Sequence, residues 1–215
     1  MNNLPNQFFY SKKEDRLNVL SHGIGFILSI IGLIFLINKG LQNFTLTYFM
    51  SLLIYGLSLS TMYIASTLYH NSKTANSRYN LRMFDMISIY ILIAGSYTPF
   101  TLILLKDNQG WLLFSIIWLL ALFGIVWKVF TVGKYNLVTT SLYIFMGGLW
   151  LFFYESFVNQ IPSDALWWIT AGCLTYLAGV IFYLLDNKLK YNHFIWHLFV
   201  LAASGCHYIS IYFYI

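Results

Sequence analysis

Charge is scarce in this sequence. Asp, Glu, Lys and Arg make up 9% of its 215 residues, against about a quarter in soluble domains. A water-soluble fold of this length would lack the polar surface to cover itself, which excludes the soluble classes. The few charges lean basic, with a net +5, too thinly spread for a nucleic-acid footprint, and no nucleic-acid partner is expected. Cysteine is almost absent as well. Cys173 and Cys206 both sit inside apolar runs, so neither a disulfide framework nor a thiolate metal site is indicated. Residues 1–16 are polar and hold no short apolar core with a small-residue cleavage site, so no cleaved signal peptide is expected. Low-complexity tracts and internal repeats are lacking too, which points to one domain.

What the chain has in quantity is apolar and aromatic. Hydrophobic residues are 59% and aromatics 20%, with a mean hydropathy of +0.69. A helix crossing the hydrocarbon needs about 20 mostly apolar residues. Seven segments qualify: Leu17–Ile37, Leu46–Tyr69, Met83–Leu105, Trp111–Phe130, Leu137–Phe157, Ala165–Leu185 and Phe194–Tyr214. They are too long and continuous for barrel strands, which alternate with period two. The expected fold is therefore all-α: a polytopic membrane protein, with residues 1–16 as a short N-terminal segment and 17–215 as a seven-helix domain. Short polar connectors carry most of the charge, and Lys and Arg set the orientation. Lys12, Lys13, Arg16, Lys73, Arg78, Arg82, Lys128, Lys134, Lys188 and Lys190 share one side, and Lys39 and Lys106 the other. That bias predicts a cytoplasmic N-terminus and an outside C-terminus.

In this orientation, polar side chains from three helices reach a similar depth. Ser66 and His70 end the second helix, Asp85 lies near the start of the third, and "HFIWH" opens the seventh with His193 and His197 on one face. Ionisable groups at membrane depth are expensive and face a bundle interior or a wet cavity. The four groups could satisfy one another by hydrogen bonds. A metal accounts for them better: three neutral imidazoles leave a fourth, open position on a tetrahedral Zn²⁺. Asp85 would then act as general base or orient the water, and Ser66 would hydrogen-bond that water or a developing oxyanion.

Other polar features have blander expectations. His22 is read as interfacial, or as a group that caps or hydrogen-bonds near the site. His207 lies about 15 Å beyond His197 along its helix, too far to share the ion, and is read as a buried polar contact. Pro99 should kink the third helix, with Ser96 and Thr98 serving the freed carbonyls. Gly147 and Gly148 should permit close helix approach. Glu155 is expected at the outer interface.

The stretches "SHGIG", "STLYHNS", "FDMISIYILIAGSYTPF" and "HFIWHLFVLAASGCHY" together resemble the hemolysin III family of bacterial membrane proteins, which groups with progestin and adiponectin receptors and, more distantly, alkaline ceramidases. The resemblance runs from about Asp15 to the last helix. It implies seven helices, an internal N-terminus, a multi-pass position in the bacterial plasma membrane and a zinc ion near the cytoplasmic face. His70, His193 and His197 would be the ligands, Asp85 the aspartate contacting zinc through water, and Ser66 the motif serine. The superfamily implies a membrane-embedded, metal-dependent hydrolase. The expected function is thus zinc-dependent hydrolysis of a lipid amide or ester, with a membrane lipid as substrate and no obligate protein partner. The alternative is a non-enzymatic sensor of lipid state, or a cytolysin, with structural zinc. The short N-terminal segment and minimal C-terminal tail set the chain apart from the protein-hormone receptors.

Overall fold

The computed structural model describes residues 10–43, 45–105, 108–186 and 188–215. Most of the expected 1–16 segment and Lys106 lie outside the described residues. Eight α-helices account for most of these described residues: α1 (Lys12–Leu41), α2 (Leu46–Asn71), α3 (Ala75–Pro99), α4 (Asn108–Phe130), α5 (Asn136–Gly147), α6 (Tyr154–Gln160), α7 (Ser163–Leu184) and α8 (Asn192–Tyr214). No strand occurs among the described residues. Among the described residues, seven stretches are long and apolar enough to cross a membrane, with α5 and α6 combining into one. The seven expected segments are therefore present.

The face that α1 turns to the bundle is mostly small or polar. Its buried positions are Asn18, Ser21, His22, Gly25, Ser29, Gly32, Leu36 and Gly40, while Leu20, Ile27 and Leu28 are about 60% exposed. Lipid tails are as apolar as leucine, so helices associate through small and polar faces. α1 packs against α2 and α8, α2 against α3, α3 against α4, and α7 against α8. α5 touches α3, α4 and α7 and closes the ring.

Two expected irregularities take different forms. Beyond Pro99 the third span widens into a π turn over Phe100–Leu104, closed by Leu105 N donating to Phe100 O at 2.9 Å. The Ser96 and Thr98 hydroxyls donate to the Ile93 and Ala94 carbonyls, and not to the Gly95 carbonyl that Pro99 leaves without its helical donor. The glycine pair, by contrast, is not a close-approach surface: a Cβ added at Gly147 would meet nothing within 4 Å among the described residues. The pair instead ends α5. The chain turns into a 3-10 segment, Leu149–Phe153, and Tyr97 OH donates to the Met146 and Gly147 carbonyls, 3.0 Å from each.

Close approach occurs at Gly95, where α3 lies on α2. An added Cβ there would overlap Oγ and Cβ of Ser58. Gly95→Ala is expected to cost about 1–3 kcal/mol through overpacking, read as a lower thermal midpoint in detergent. The penalty should shrink in a Ser58→Ala background; equal penalties in both backgrounds would mean that this contact is not the cause.

Candidate metal centre

Local rules set the start of α1. Ser11 caps it, with Ser11 Oγ accepting from Glu14 N and Glu14 Oε2 accepting from Ser11 N, both at 3.2 Å. The other oxygen of Glu14 accepts from Tyr191 N at 2.8 Å, fastening α1 to the loop before α8. Tyr10 adds a second tie, donating to Asp186 Oδ2 at 2.6 Å. Asp15, Asn18, Ser21 and His22 then follow at helical spacing along the face of α1 that meets α2 and α8.

His70, His193 and His197 are all buried, and one ring nitrogen of each lies within 4.8 Å of the other two. Their outer nitrogens are held individually. Asp15 accepts from Arg78 at 2.8 Å, so it is a carboxylate, and His70 Nδ1, 3.0 Å from the same oxygen, must be the donor. Ser21 donates to Asn18 O at 3.0 Å, so its oxygen accepts from His197 Nδ1 at 3.1 Å. His193 Nδ1 lies 3.0 Å from Tyr10 OH and 3.2 Å from Asp186 Oδ2. Burial pushes the Asp186 carboxyl up, but the hydrogen bonds from His193 and Tyr10 outweigh it and leave the group below the ordinary carboxylate range. Burial, together with neighbouring Tyr69 and Asp186, holds the Tyr10 phenol well above its usual value. Asp186 is thus an acceptor, and His193 Nδ1 is a third donor.

With every Nδ1 protonated, every Nε2 carries a lone pair. Those of His70 and His193 face each other at 3.2 Å, a spacing that a cation held between them would account for. Two nitrogens bound tetrahedrally to one zinc stand roughly 3.3 Å apart. The residues present therefore fit a metal ion, and His-to-carboxylate and His-to-hydroxyl contacts of this kind orient such ligands.

The remaining expected residues face the same space. Ser66 is 2% exposed, and its hydroxyl hydrogen-bonds the Asp85 carboxyl, which also interacts electrostatically with His193. Both line a cavity of about 550 Å³ with His22, His193 and His197 at one end. The cavity continues past Met86, Ile93 and Val200 to Phe100, Trp150 and Phe157. The expected convergence of Ser66, His70, Asp85, His193 and His197 is thus observed.

His22 is not interfacial. It is 3% exposed, and its ring stacks on that of His197 with centroids 3.5 Å apart and an interplanar angle of 10°. His207 makes polar contacts of its own, a ring nitrogen hydrogen-bonding the Ile169 backbone and Nε2 lying 3.8 Å from Cys173 Sγ. Sequence reading missed Tyr10, Asp15, Asn18, Ser21 and Asp186. The α1 set carried a usable signal, since polar groups recur at helical spacing in a segment entering the apolar phase. Tyr10 and Asp186 carried none. Asp15→Asn is expected to weaken metal binding about 10- to 100-fold and to lower the thermal midpoint, because Arg78 loses its buried counter-charge. A chelator titration measures this, and an unchanged affinity would exclude Asp15 from supporting the site.

Comparison with known proteins gives a consistent result. The family model described as "Haemolysin-III related" matches residues 10–208. Hemolysin-3 of Bacillus cereus is 38% identical over 203 residues, 94% of this chain and 92% of that protein. The Hemolysin-3 homolog of Bacillus subtilis (strain 168) is 36% identical over 205 residues, 95% and 96% of the two chains. The human monocyte to macrophage differentiation factor is 32% identical over 171 residues, 75% of this chain and 69% of that one. No solved structure matches. With seven candidate spans and a family match over nearly its whole length, this chain is a multi-pass membrane protein belonging to the Haemolysin-III related family.

Proposed function

We propose that the protein is a membrane-embedded, zinc-dependent hydrolase of lipid amides or esters. One observation carries this reading: of a buried triad of imidazoles, His193 and His197 line an apolar cavity of about 550 Å³ together with the Ser66–Asp85 pair. Ligand pockets run from about 300 to 1,000 Å³, and this one is walled for a hydrocarbon chain. When bound, Zn²⁺ supplies Lewis acidity for an acyl carbonyl and acidifies a water. Asp85 takes the proton of the attacking water and returns it to the leaving amine or alcohol. The Ser66 hydroxyl donates to the Asp85 carboxylate and orients it towards the water. The buried apolar walls exclude competing water. The Lys and Arg bias supports a cytoplasmic position for this end of the bundle.

The test combines zinc determination on purified protein with product release from ceramide-like amides and from acyl esters. About one zinc per chain with turnover of one class supports the enzyme. Stoichiometric zinc with no turnover of either class favours a sensor with structural metal. The name of the Bacillus cereus relative raises lysis as a further alternative. Rapid dye release from intact liposomes, surviving loss of the histidines, would favour it over hydrolysis.

A further inference from the structure

Midway along the cavity the apolar lining is interrupted by Tyr55 of α2, Cys173 and Tyr176 of α7, and Ser204 and His207 of α8. His207 belongs there by construction. Gly172 vacates the space its ring fills, since an added Cβ would overlap Cδ2 and Nε2. A ring nitrogen hydrogen-bonds the Ile169 backbone, and Nε2 lies 3.8 Å from Cys173 Sγ. Beside it, Ser204 Oγ joins Tyr176 OH at 2.8 Å and also bonds Tyr63. Three hydroxyls with two contacts among them leave one O–H proton unused. The Tyr55 hydroxyl, on a side chain 1% exposed, has no hydrogen-bond partner among the described residues, and it lies within electrostatic range of Tyr63 and Tyr176. Buried donors of this kind are rare without a partner. Here two surplus donors border one stretch of a cavity built for a chain.

We propose that the cavity takes a lipid whose chain bears an oxygen, as a hydroxyl or carbonyl, well away from its headgroup, and that the Tyr55 and Tyr176 hydroxyls receive it. Ser204 and His207 follow His197 by seven and ten residues, about 10–15 Å along α8 at 1.5 Å per residue, or roughly eight to twelve methylenes. The inference rests on the proposed function only in placing the headgroup at the histidines, and it does not require hydrolysis.

The experiment is equilibrium binding to the full-length, zinc-loaded protein. Radiolabelled octadecanoic acid is displaced by unlabelled octadecanoic acid or by its monohydroxy derivatives, with the hydroxyl scanned along the chain. Isomers hydroxylated in the predicted stretch are expected to bind at least fivefold more tightly than the plain acid. Tyr55→Phe and Tyr176→Phe, which keep ring and shape, should lower the ratio of hydroxy-acid to plain-acid affinity. No advantage at any position, or an advantage intact in both variants, would overturn the proposal. No binding of any acid would overturn both the proposal and the lipid reading. A hydroxyl preference in a protein without turnover leaves the proposal standing and removes only the hydrolase.

Discussion

His197→Ala is expected to strip the site of zinc and abolish hydrolysis. Structural zinc sites are worth about 10–16 kcal/mol over four donors, so one donor contributes about 2.5–4 kcal/mol, or roughly a hundred- to a thousandfold in affinity. His197 is 1% exposed, with Nδ1 held by Ser21 and its face covered by His22, so no neighbouring solvent can readily take its place. Zinc should fall from about one per chain to a small fraction after dialysis against a weak chelator. Product release should drop to background. His197→Gln, which keeps more of the side-chain volume, guards against simple collapse and should show the same loss. Wild-type protein stripped of metal should show a lower thermal midpoint that zinc restores, because an ion that binds only the folded state stabilises it; neither variant should respond. Stoichiometric zinc in either variant would rule out the triad as the binding site.

Asp85→Asn should separate chemistry from metal binding. Asparagine keeps the size and can still pair with Ser66, but it cannot accept a proton from water. General-base catalysis is worth about 10²- to 10⁴-fold, so kcat should fall by that factor while zinc content stays near one per chain. Asp85 lines the cavity beside Ser66 and His193, whereas the hydrogen bonds of the ring nitrogens go to Asp15, Ser21, Tyr10 and Asp186. This division makes the expected outcome specific. Loss of zinc on Asp85→Asn would assign Asp85 to metal retention. Full activity would remove it from the reaction.

The spans were legible because the bilayer leaves a chain few ways to satisfy its backbone. Their ends were less so. α1 begins at Lys12, five residues before the expected Leu17, because the Ser11–Glu14 capping box starts a helix in water ahead of the first apolar residue. α3 likewise begins at Ala75, where Thr74 Oγ1 accepts from Ser77 N, eight residues before the expected Met83. Hydropathy marks the hydrocarbon and caps mark the helix. Within the site, the four-residue spacings of Ser66 and His70 and of His193 and His197 were readable from periodicity, and Asp85 from its depth. The Tyr10–Asp186 contact spans 176 positions and joins a terminal segment to a loop, so no local pattern encodes it. His22 stayed open between the interface and the site because a single imidazole near a helix end looks the same whether it meets headgroups or another imidazole; its stacking on His197 favours the site.

The ties between α1 and the loop before α8 also bear on biogenesis. The triad needs the last helix, Asn192–Tyr214, while the groups that orient its imidazoles include Asp15 and Ser21 near the start of α1. A nascent chain still lacking α8 has one histidine of the three. An ion held by all three would therefore require α8 to have been made and packed against the start of α1.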